Sequence, residues 1–270
     1  MVTSEGDRLQ RVVVCTPNKE YGRADNRKEH NIGKLGDPGM AIEQHDRLKS
    51  RLKAFGAEVI DVPEMVGHPN SVFTRDASLC TPEGYINLRL GLATRRGEEA
   101  WMAEVLEGLK VPVVGQILAP GTVEGGDVVL AGKAAFIGRS VRTNKNGVEQ
   151  LSSLLEAMGY EVRVIELPDT ILHLDKVLMT LGPDRVLYCK DIISPKHIKG
   201  FDGVEISCGG NSTANIICLG DGEFIVNHAN SMVAGRLETE EFVVHALDLG
   251  EFAKGMGGPN CLIMPVARGA

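Results

Sequence analysis

The stretch DVVLAGKAAFIGRSVRTNKNGVEQLSSLLEAMGYEVRVIEL, residues 127–167, has the clearest alternation of strand and helix patterns in the chain. Two apolar, β-branched runs, 127–132 and 134–140, predict neighbouring strands. In 147–159 the apolar residues recur at the spacing of one helix face and Gly159 provides a stop, so a helix is predicted over 144–158. A third apolar run, 160–167, predicts a strand after the helix.

The same order recurs along the chain. Further strands are predicted at 11–15, 57–62, 84–90, 111–118, 185–189, 215–220 and 223–229. Further helices are predicted at 39–55, 97–109, 195–200 and 238–247. Successive helices begin about fifty residues apart, which indicates an internal structural repeat. Five strand-rich units with one helix each suit a closed, roughly circular α/β arrangement, and without a linker we expect a single domain over 1–270.

Composition excludes several classes of function. The chain has 270 residues, 43% hydrophobic and 24% charged, which is typical of a globular protein. A net charge of −7 without a basic cluster argues against a nucleic-acid partner and is compatible with a small cationic substrate. No apolar run approaches the ~20 residues of a membrane span, and the polar start is unlike a signal peptide. We therefore expect a cytoplasmic protein with no membrane partner; a homodimer is compatible with the sequence.

The cysteines do not form a metal or redox motif. None of the six is part of a C-x-x-C pair, so the usual signature of zinc or thioredoxin-type sites is missing. Cys15, Cys189 and Cys218 end or interrupt apolar runs, and we expect them to be buried as small hydrophobic residues. Cys261 differs, because it follows the bend Gly-Gly-Pro-Asn close to the end of the chain.

Four polar stretches do not fit the core pattern. They are HPNSVFTRDAS (68–78), GTVEGGDVVL (121–130), ILHLDKVLMTL (171–181) and GGPNC (257–261). In the third, His173 and Asp175 have the i, i+2 spacing that places two side chains on one face of a strand. Together the stretches supply a nucleophile, a histidine and carboxylates, the groups needed for covalent catalysis with acid–base assistance. A metal site is the competing use, but one thiolate with scattered carboxylates is not a common ligand set, so no metal or cofactor is expected.

Carboxylates beside a cysteine restrict the chemistry. Negative charge raises the pKa of a thiol and disfavours the thiolate nucleophile. A cationic substrate held by those carboxylates would reverse the effect by placing positive charge at the sulfur. The pattern therefore favours attack on a guanidinium or amidinium carbon.

FTRD, EGGD, HLD and a near-terminal cysteine, in that order, resemble the arginine deiminase and dimethylargininase (dimethylarginine dimethylaminohydrolase) group of guanidine-modifying enzymes. The resemblance extends from about residue 68 to the end of the chain. It implies the pentein fold, an α/β propeller of five ββαβ-type units around a pseudo-fivefold axis. The period of about fifty residues agrees with that fold.

The resemblance also implies a role for individual residues. Cys261 would be the nucleophile, and His173 the general acid and then the general base. Glu124 would orient His173 and contact the guanidinium, while Asp76 would bind the guanidinium nitrogens. The substrate would be a small cationic guanidino compound.

Substrate binding involves further positions. Arg95 in RRGE and Arg142 in SVRTN match family arginines that bind the substrate carboxylate, for which bidentate arginine is well suited. Asn70 and Asp175 resemble positions of the deiminases, as do Arg75 and the MPVAR tail after the cysteine.

The identity of the substrate has two readings. Length and the RRGE and RTN stretches resemble compact dimethylargininases. Asp175, together with Asp76, would instead require hydrogens on both terminal guanidinium nitrogens, which a dimethylated nitrogen lacks. The sequence therefore favours a short arginine deiminase that hydrolyses arginine or a close analogue to citrulline through a thiouronium adduct. A dimethylargininase, which would release dimethylamine, is the alternative. An amidinotransferase or an inactive binding protein is a further alternative. The sequence does not decide the roles of Arg75 and Asp127.

Overall fold

The computed structural model describes residues 1–22 and 27–269, which form five three-stranded sheets. In each sheet the central strand pairs antiparallel with one neighbour and parallel with the other. An antiparallel pair with a parallel third strand is the strand pattern of a ββαβ-type unit. The predicted α/β propeller of five such units is therefore confirmed.

The strands are β1 (Arg8–Cys15), β2 (Glu58–Val62), β3 (Ser78–Cys80), β4 (Tyr85–Asn87), β5 (Val113–Gln116), β6 (Val128–Ala131), β7 (Ala134–Arg139), β8 (Glu161–Glu166), β9 (Leu178–Thr180), β10 (Arg185–Cys189), β11 (Asp202–Ile206), β12 (Ile217–Gly220), β13 (Glu223–Asn227), β14 (Val243–Leu247) and β15 (Met264–Gly269). The helices are α1 (Pro38–Phe55), α2 (Glu98–Gly108), α3 (Lys145–Ala157), α4 (Ser231–Thr239) and α5 (Gly250–Lys254).

The unit built by residues 127–167 follows the predicted order. β6 and β7 form an antiparallel hairpin, and β8 returns parallel to β7. Between them α3 begins after Asn144, whose side chain accepts a hydrogen bond from the Gly147 N–H. Its buried face includes Val148, Leu151 and Leu155, which pack against the sheet. The apolar spacing read from the sequence thus gives both the helix and its buried side.

The two ends of the chain build one unit together. β15 pairs antiparallel with β1, and β2 pairs parallel on the other side of β1. Arg268 of β15 is buried, and its Nη1 donates to the carbonyls of Asp7 (2.7 Å) and Cys218 (2.8 Å). The last strand therefore closes the first unit and is also tied to β12 of its neighbour.

Two predicted helices are wrong. Residues 195–200 form turns, so the unit of β9, β10 and β11 lacks a helix over that stretch. The segment 238–247 contains the end of α4 and then β14. Glu241, at φ 64°, leaves the helical conformation, and the β-branched run that follows pairs with β13. A parallel partner strand outweighs the helical spacing of a short apolar run.

The buried-cysteine prediction is confirmed for Cys15, Cys189 and Cys218, which are at most 1% exposed. All three lie in strands whose side chains belong to the hydrophobic core. Within residues 1–22 and 27–269, no helix has the length and apolar character needed to cross a membrane.

Candidate active site

Four short 3₁₀ turns lead into the first strand of four units. They span Thr74–Asp76, Gly125–Asp127, Leu174–Lys176 and Asn260–Leu262, directly or one residue before β3, β6, β9 and β15. The first turn contacts the second and the fourth, and the second contacts the third. The fifth unit has Asn215 shortly before β12. The repeated topology therefore brings residues that are far apart in the sequence to one place.

His173 lies between two carboxylates. Its Nε2 is 2.8 Å from Oε2 of Glu124, and its Nδ1 is 3.8 Å from Oδ1 of Asp76. All three side chains are buried. Nδ1 makes no hydrogen bond in the described structure, so it is the ring atom free to exchange a proton.

The carboxylates decide the protonation state of His173. Burial by itself lowers the pKa of the imidazole, but the charges of Asp76, Asp127 and Glu124 outweigh it and raise the pKa to about 9. For Glu124, burial raises the pKa, but hydrogen bonding to His173 and the charges of His173 and Arg142 bring it well below its usual range. The resting pair at neutral pH is therefore an imidazolium beside a carboxylate.

The prediction that His173 and Asp175 share one face of a strand is wrong. His173 is extended, but Asp175 lies inside the 3₁₀ turn that precedes β9. The two side chains diverge, His173 to Glu124 and Asp175 to the turn that carries Cys261. Both still reach the same cluster.

Asp127 connects the loops that carry two predicted site residues. Its Oδ2 accepts from the hydroxyls of Ser140 (2.6 Å) and Thr143 (2.7 Å), and its Oδ1 from the Leu174 N–H (3.0 Å). Burial raises the pKa of this carboxyl to about 7, although these hydrogen bonds oppose the shift. Asp127 therefore holds the 140–143 loop against the backbone that follows His173.

Arg75 is buried and joins the first two turns, although an Arg-Asp pair after phenylalanine is normally a surface feature. Its guanidinium donates to Glu5 and to the backbone carbonyls of Gly125 (3.2 Å) and Val128 (2.6 Å). It thereby fixes the turn of Asp76 against the EGGD turn.

The EGGD glycines allow this close approach. A Cβ at Gly125 would lie 2.1 Å from the Arg75 carbonyl oxygen, and one at Gly126 would lie 2.6 Å from His173 Nδ1. Only a residue without a side chain fits either place. The Gly126 N–H also donates to Asp76 Oδ1 at 3.0 Å.

Cys261 is buried, and three donors surround its sulfur. The Gly258 N–H lies 3.3 Å from Sγ, Asn215 Nδ2 3.4 Å and Lys176 Nζ 3.7 Å. A Cβ at Gly258 would lie 2.3 Å from Asn215 Oδ1, so the glycine bend lets the backbone approach Asn215. The bend also turns the Gly258 N–H back toward the sulfur.

Lys176 and Asn215 are neighbours of the sulfur that the sequence analysis missed. Lys176 directly follows HLD, and Asn215 is a polar residue just before an apolar strand. The position before the first strand of a unit is the signal that could have found both.

The charges around Cys261 oppose one another. Burial raises the pKa of the thiol, Lys176 lowers it, and Asp175 and Asp76 raise it, with a result of about 11. The resting group is therefore a thiol at neutral pH. This agrees with the prediction that neighbouring acids disfavour the thiolate.

Asp175 lies beside the sulfur. Its Oδ2 accepts from Asn260 Nδ2 at 3.1 Å and is 4.0 Å from Cys261 Sγ, while Oδ1 has no partner in the described structure. A fully buried carboxylate with one unpaired oxygen has a high cost unless a further donor arrives.

The two predicted carboxylate-binding arginines have different partners. Arg95 donates to Asp76 (2.6 Å), to Glu98 (2.7 Å) and to two backbone carbonyls, whereas Arg142 Nη1 is shared by both oxygens of Glu124. Asn70 Nδ2 donates to the His30 carbonyl. All three predicted positions line the same pocket, and their roles toward a substrate stay predictions.

The pocket between these residues is small. It has a volume of about 30 Å³ and is lined by His30, Asn31, Asn70, Phe73, Asp76, Arg95, Arg142, Leu172, His173, Gly255, Met256, Gly257 and Cys261. Sites for small molecules usually measure several hundred Å³, so its walls must move to admit an amino acid. A second cavity of about 460 Å³ adjoins it and includes Lys176, Asn215 and the segment 256–259 in its wall.

The carboxylate cluster could also hold a cation. Ligand atoms of Asp76, Glu124 and His173 lie within 4.8 Å of one another. Arg95 and Arg142 already bring positive charge to these two carboxylates. The expectation of a metal-free site stays a prediction.

Known proteins resemble the chain over most of its length. The family model for eukaryotic N,N dimethylarginine dimethylhydrolase matches residues 15–202. A dimethylarginine dimethylaminohydrolase of Pseudomonas aeruginosa is 30% identical over 94% of this chain and 98% of its own. An arginine deiminase of Listeria welshimeri is 26% identical, over 74% of this chain and 62% of its own. The structure of a cysteine-to-serine mutant of the P. aeruginosa enzyme with citrulline has a TM-score of 0.83 and 27% identity, covering 95% of this chain and 99% of that one.

Proposed function

Because the chain belongs to the dimethylarginine dimethylaminohydrolase and arginine deiminase family of the pentein superfamily, and is a hydrolase of amidine C–N bonds, we propose that it converts a methylated arginine to citrulline and a free amine. The observation that carries the chemistry is the convergence of Cys261, His173 and Asp76 on one pocket, with Glu124 hydrogen-bonded to His173. Nucleophile, acid–base group and orienting carboxylate are the parts of covalent catalysis.

The first step joins Cys261 to the substrate. When the guanidinium binds, with its positive charge held by Asp76 and Glu124, the Cys261 thiol loses its proton to solvent, and the thiolate attacks the guanidinium carbon. Asp76 and Asp175 disfavour a resting thiolate, and an incoming cation compensates for their charge. The bond to sulfur forms as the C=N π electrons move to nitrogen.

The second step needs a proton at the departing amine. His173 is protonated at neutral pH and has an unpartnered Nδ1. It gives this proton to the leaving nitrogen as the C–N bond breaks, which leaves a thiouronium adduct on Cys261. His173, now neutral, takes a proton from the water that attacks the adduct. The C–S bond then breaks, the sulfur leaves as the thiolate and takes up the proton of the new hydroxyl group, and citrulline is released with the thiol restored.

The comparisons decide which substrate we propose. The sequence alone favoured arginine, whereas the matching family model and the relative that aligns over nearly its whole length are dimethylargininases. The arginine deiminase aligns over a smaller part of both chains. We therefore propose dimethylarginine first, where the sequence alone placed arginine first.

Arginine stays a second candidate because of one observation. The unpaired Oδ1 of buried Asp175 could accept an N–H from an unmethylated guanidinium nitrogen close to Cys261. A methyl group there would leave this oxygen unpaired, at a cost of about 1–3 kcal/mol. Asp175 is therefore the residue on which the two substrates are distinguished.

The test is the formation of citrulline from four compounds: arginine, monomethylarginine, dimethylarginine and agmatine. We expect kcat/KM to be highest for dimethylarginine. A higher kcat/KM for arginine than for dimethylarginine would favour the deiminase instead, provided that Asp175→Asn reduces the ratio of the two values by about tenfold or more. If product forms only after a second amine is added, the protein is an amidinotransferase.

Cys261→Ser provides the mechanistic control. We expect this variant to lose citrulline formation and to keep its fold, because the thiol lies in a bend rather than in a strand. Cys208→Ser, which changes a partly buried cysteine in the wall of the second cavity, should keep most of the activity. An active Cys261→Ser enzyme would exclude the covalent mechanism.

A further inference from the structure

Lys176 is directed at the proposed nucleophile. Its Nζ lies 3.7 Å from Cys261 Sγ and donates to the Met256 carbonyl at 3.2 Å. The second contact fixes the ammonium against the segment that precedes the cysteine bend. The hydrogen bond to the Met256 carbonyl therefore keeps the Lys176 ammonium beside the sulfur.

The surroundings of the sulfur have the form of an anion site. Besides Lys176, the Gly258 N–H and Asn215 Nδ2 donate to Sγ. Asn215 cannot rotate freely, because its Oδ1 accepts from the Asn260 N–H at 2.9 Å. Three converging donors, one of them charged, stabilise a thiolate more than a thiol.

The neighbouring carboxylates affect Cys261 and Lys176 differently. Asp175 and Asp76 face both Cys261 and Lys176, disfavouring the thiolate and favouring the ammonium. His173 and Glu124 lie behind Asp76 as a hydrogen-bonded ion pair. Lys176 is the cation in direct contact with the sulfur among the described donors.

We propose that Lys176 is a further catalytic residue, whose ammonium stabilises the Cys261 thiolate both before and after a guanidinium binds. Activation of the nucleophile is then shared between a fixed cation of the protein and the charge of the substrate. The proposal rests on the proposed function only in assigning Cys261 as the nucleophile.

Alkylation of Cys261 tests this without any substrate. Intact protein is treated with iodoacetamide between pH 6 and 11, and the Cys261 peptide is quantified by mass spectrometry. Because thiolate is the reactive form, each unit by which the pKa rises lowers the rate about tenfold at a pH below it. In Lys176→Met we expect a rate at pH 8 that is lower by about tenfold or more, and Lys176→Arg should restore most of it.

Lys133→Met is the matched control. Lys133 is an exposed lysine in the hairpin between β6 and β7, and its loss should leave the alkylation profile unchanged. The buried Cys15 and Cys218, which line neither cavity, report on folding, because they react only if the variant opens. Equal Cys261 profiles in Lys176→Met and the wild type would overturn the proposal.

A second measurement covers the case in which Lys176→Met does not fold. Lys176 lies in the wall of the 460 Å³ cavity, so its amine can be labelled with acetic anhydride as a function of pH. In Cys261→Ser the labelling midpoint should move to lower pH, because the thiolate that stabilises the ammonium is absent. An unchanged midpoint would also overturn the proposal. Neither assay depends on turnover, so a failed citrulline assay and a failed Lys176 assay are separate results.

Discussion

At the scale of single residues, His173 shows how burial and charge compete. The imidazole is almost completely shielded from water, which favours its neutral form, yet three nearby carboxylates keep it charged. One of these carboxylates, Asp76, also raises the pKa of the Cys261 thiol together with Asp175, and Lys176 beside the sulfur opposes them. In the proposed site, nearby negative charge thus stabilises the protonated form of His173, whereas the positive charge of Lys176 stabilises the thiolate form of Cys261.

The raised pKa of His173 predicts how stability depends on pH. Its folded value of about 9 exceeds the ordinary 6.5, so protonated His173 stabilises the fold fully below pH 6.5, and this contribution is lost as pH rises through 9. The loss is on the order of 3 kcal/mol for a shift of this size. We expect urea unfolding between pH 6 and 9.5 to show that the free energy of unfolding of the wild type decreases with pH relative to that of His173→Gln.

Asp127 also titrates in this range, with a pKa of about 7 that the charge of His173 lowers, so the same pair is also compared in an Asp127→Asn background. A difference that stays constant from pH 6 to 9.5 would mean that His173 is not charged in the folded protein.

At the scale of elements, the 3₁₀ turns before the strands carry or adjoin the proposed catalytic residues. Each is three residues long and joins the strand of its unit to the centre of the cluster. Their backbones approach so closely that glycine is needed in the second turn. Small changes of backbone position here move catalytic atoms directly.

Gly126→Ala tests this packing. The added methyl would lie 2.6 Å from His173 Nδ1 and 3.0 Å from Asp76 Oδ1, so one of these side chains must move. Displacing an acid–base group from its place removes roughly 10²–10⁴-fold in rate. We therefore expect kcat for citrulline formation to fall by about a hundredfold or more.

The control is Gly235→Ala in α4. A Cβ at Gly235 meets no atom within 4 Å, and alanine favours a helix over glycine by roughly 1 kcal/mol. This variant should be equally active and slightly more stable. Unchanged activity in Gly126→Ala would show that the turn can relax without disturbing His173.

At the scale of the whole molecule, the ring is closed by its last strand. β15 is held in place by its antiparallel hydrogen bonds to β1 and by the side chain of Arg268. The turn that contains Cys261 leads directly into this strand. The strand that closes the ring therefore also positions Cys261, the proposed nucleophile.

Arg268→Met should weaken that closure. The half-buried carbonyl of Asp7 and the buried carbonyl of Cys218 would lose this donor, which costs about 1–3 kcal/mol for a buried group left unpaired. The midpoint of urea unfolding should fall accordingly, with an unchanged slope. Arg139→Met, which removes an exposed ion pair with Glu166 on β7 and β8, should change stability by less than about 1 kcal/mol. Equal effects of the two variants would mean that Arg268 does not hold the ring closed.

The sequence by itself determined the elements and the kinds of residue at the site. Local periodicity gave α3 with its buried face, and β-branched runs gave most of the strands. The strands β3, β9, β11 and β15 were not predicted, and β14 replaces a predicted helix because it pairs with β13. β3 and β9 are only three residues long, which is too short to show a strand pattern in the sequence. Their hydrogen bonds are made with β4 and β10.

Tertiary structure alone decided which residues meet. The order of FTRD, EGGD, HLD and the late cysteine named His173, Glu124, Asp76 and Cys261, but only the ring shows that their turns touch. Lys176 and Asn215 carry no motif, and their place at the sulfur comes from the equivalent position of each unit before its first strand. Side-chain chemistry is written in the sequence, whereas the distance between two side chains is set by the packing of units about fifty residues apart.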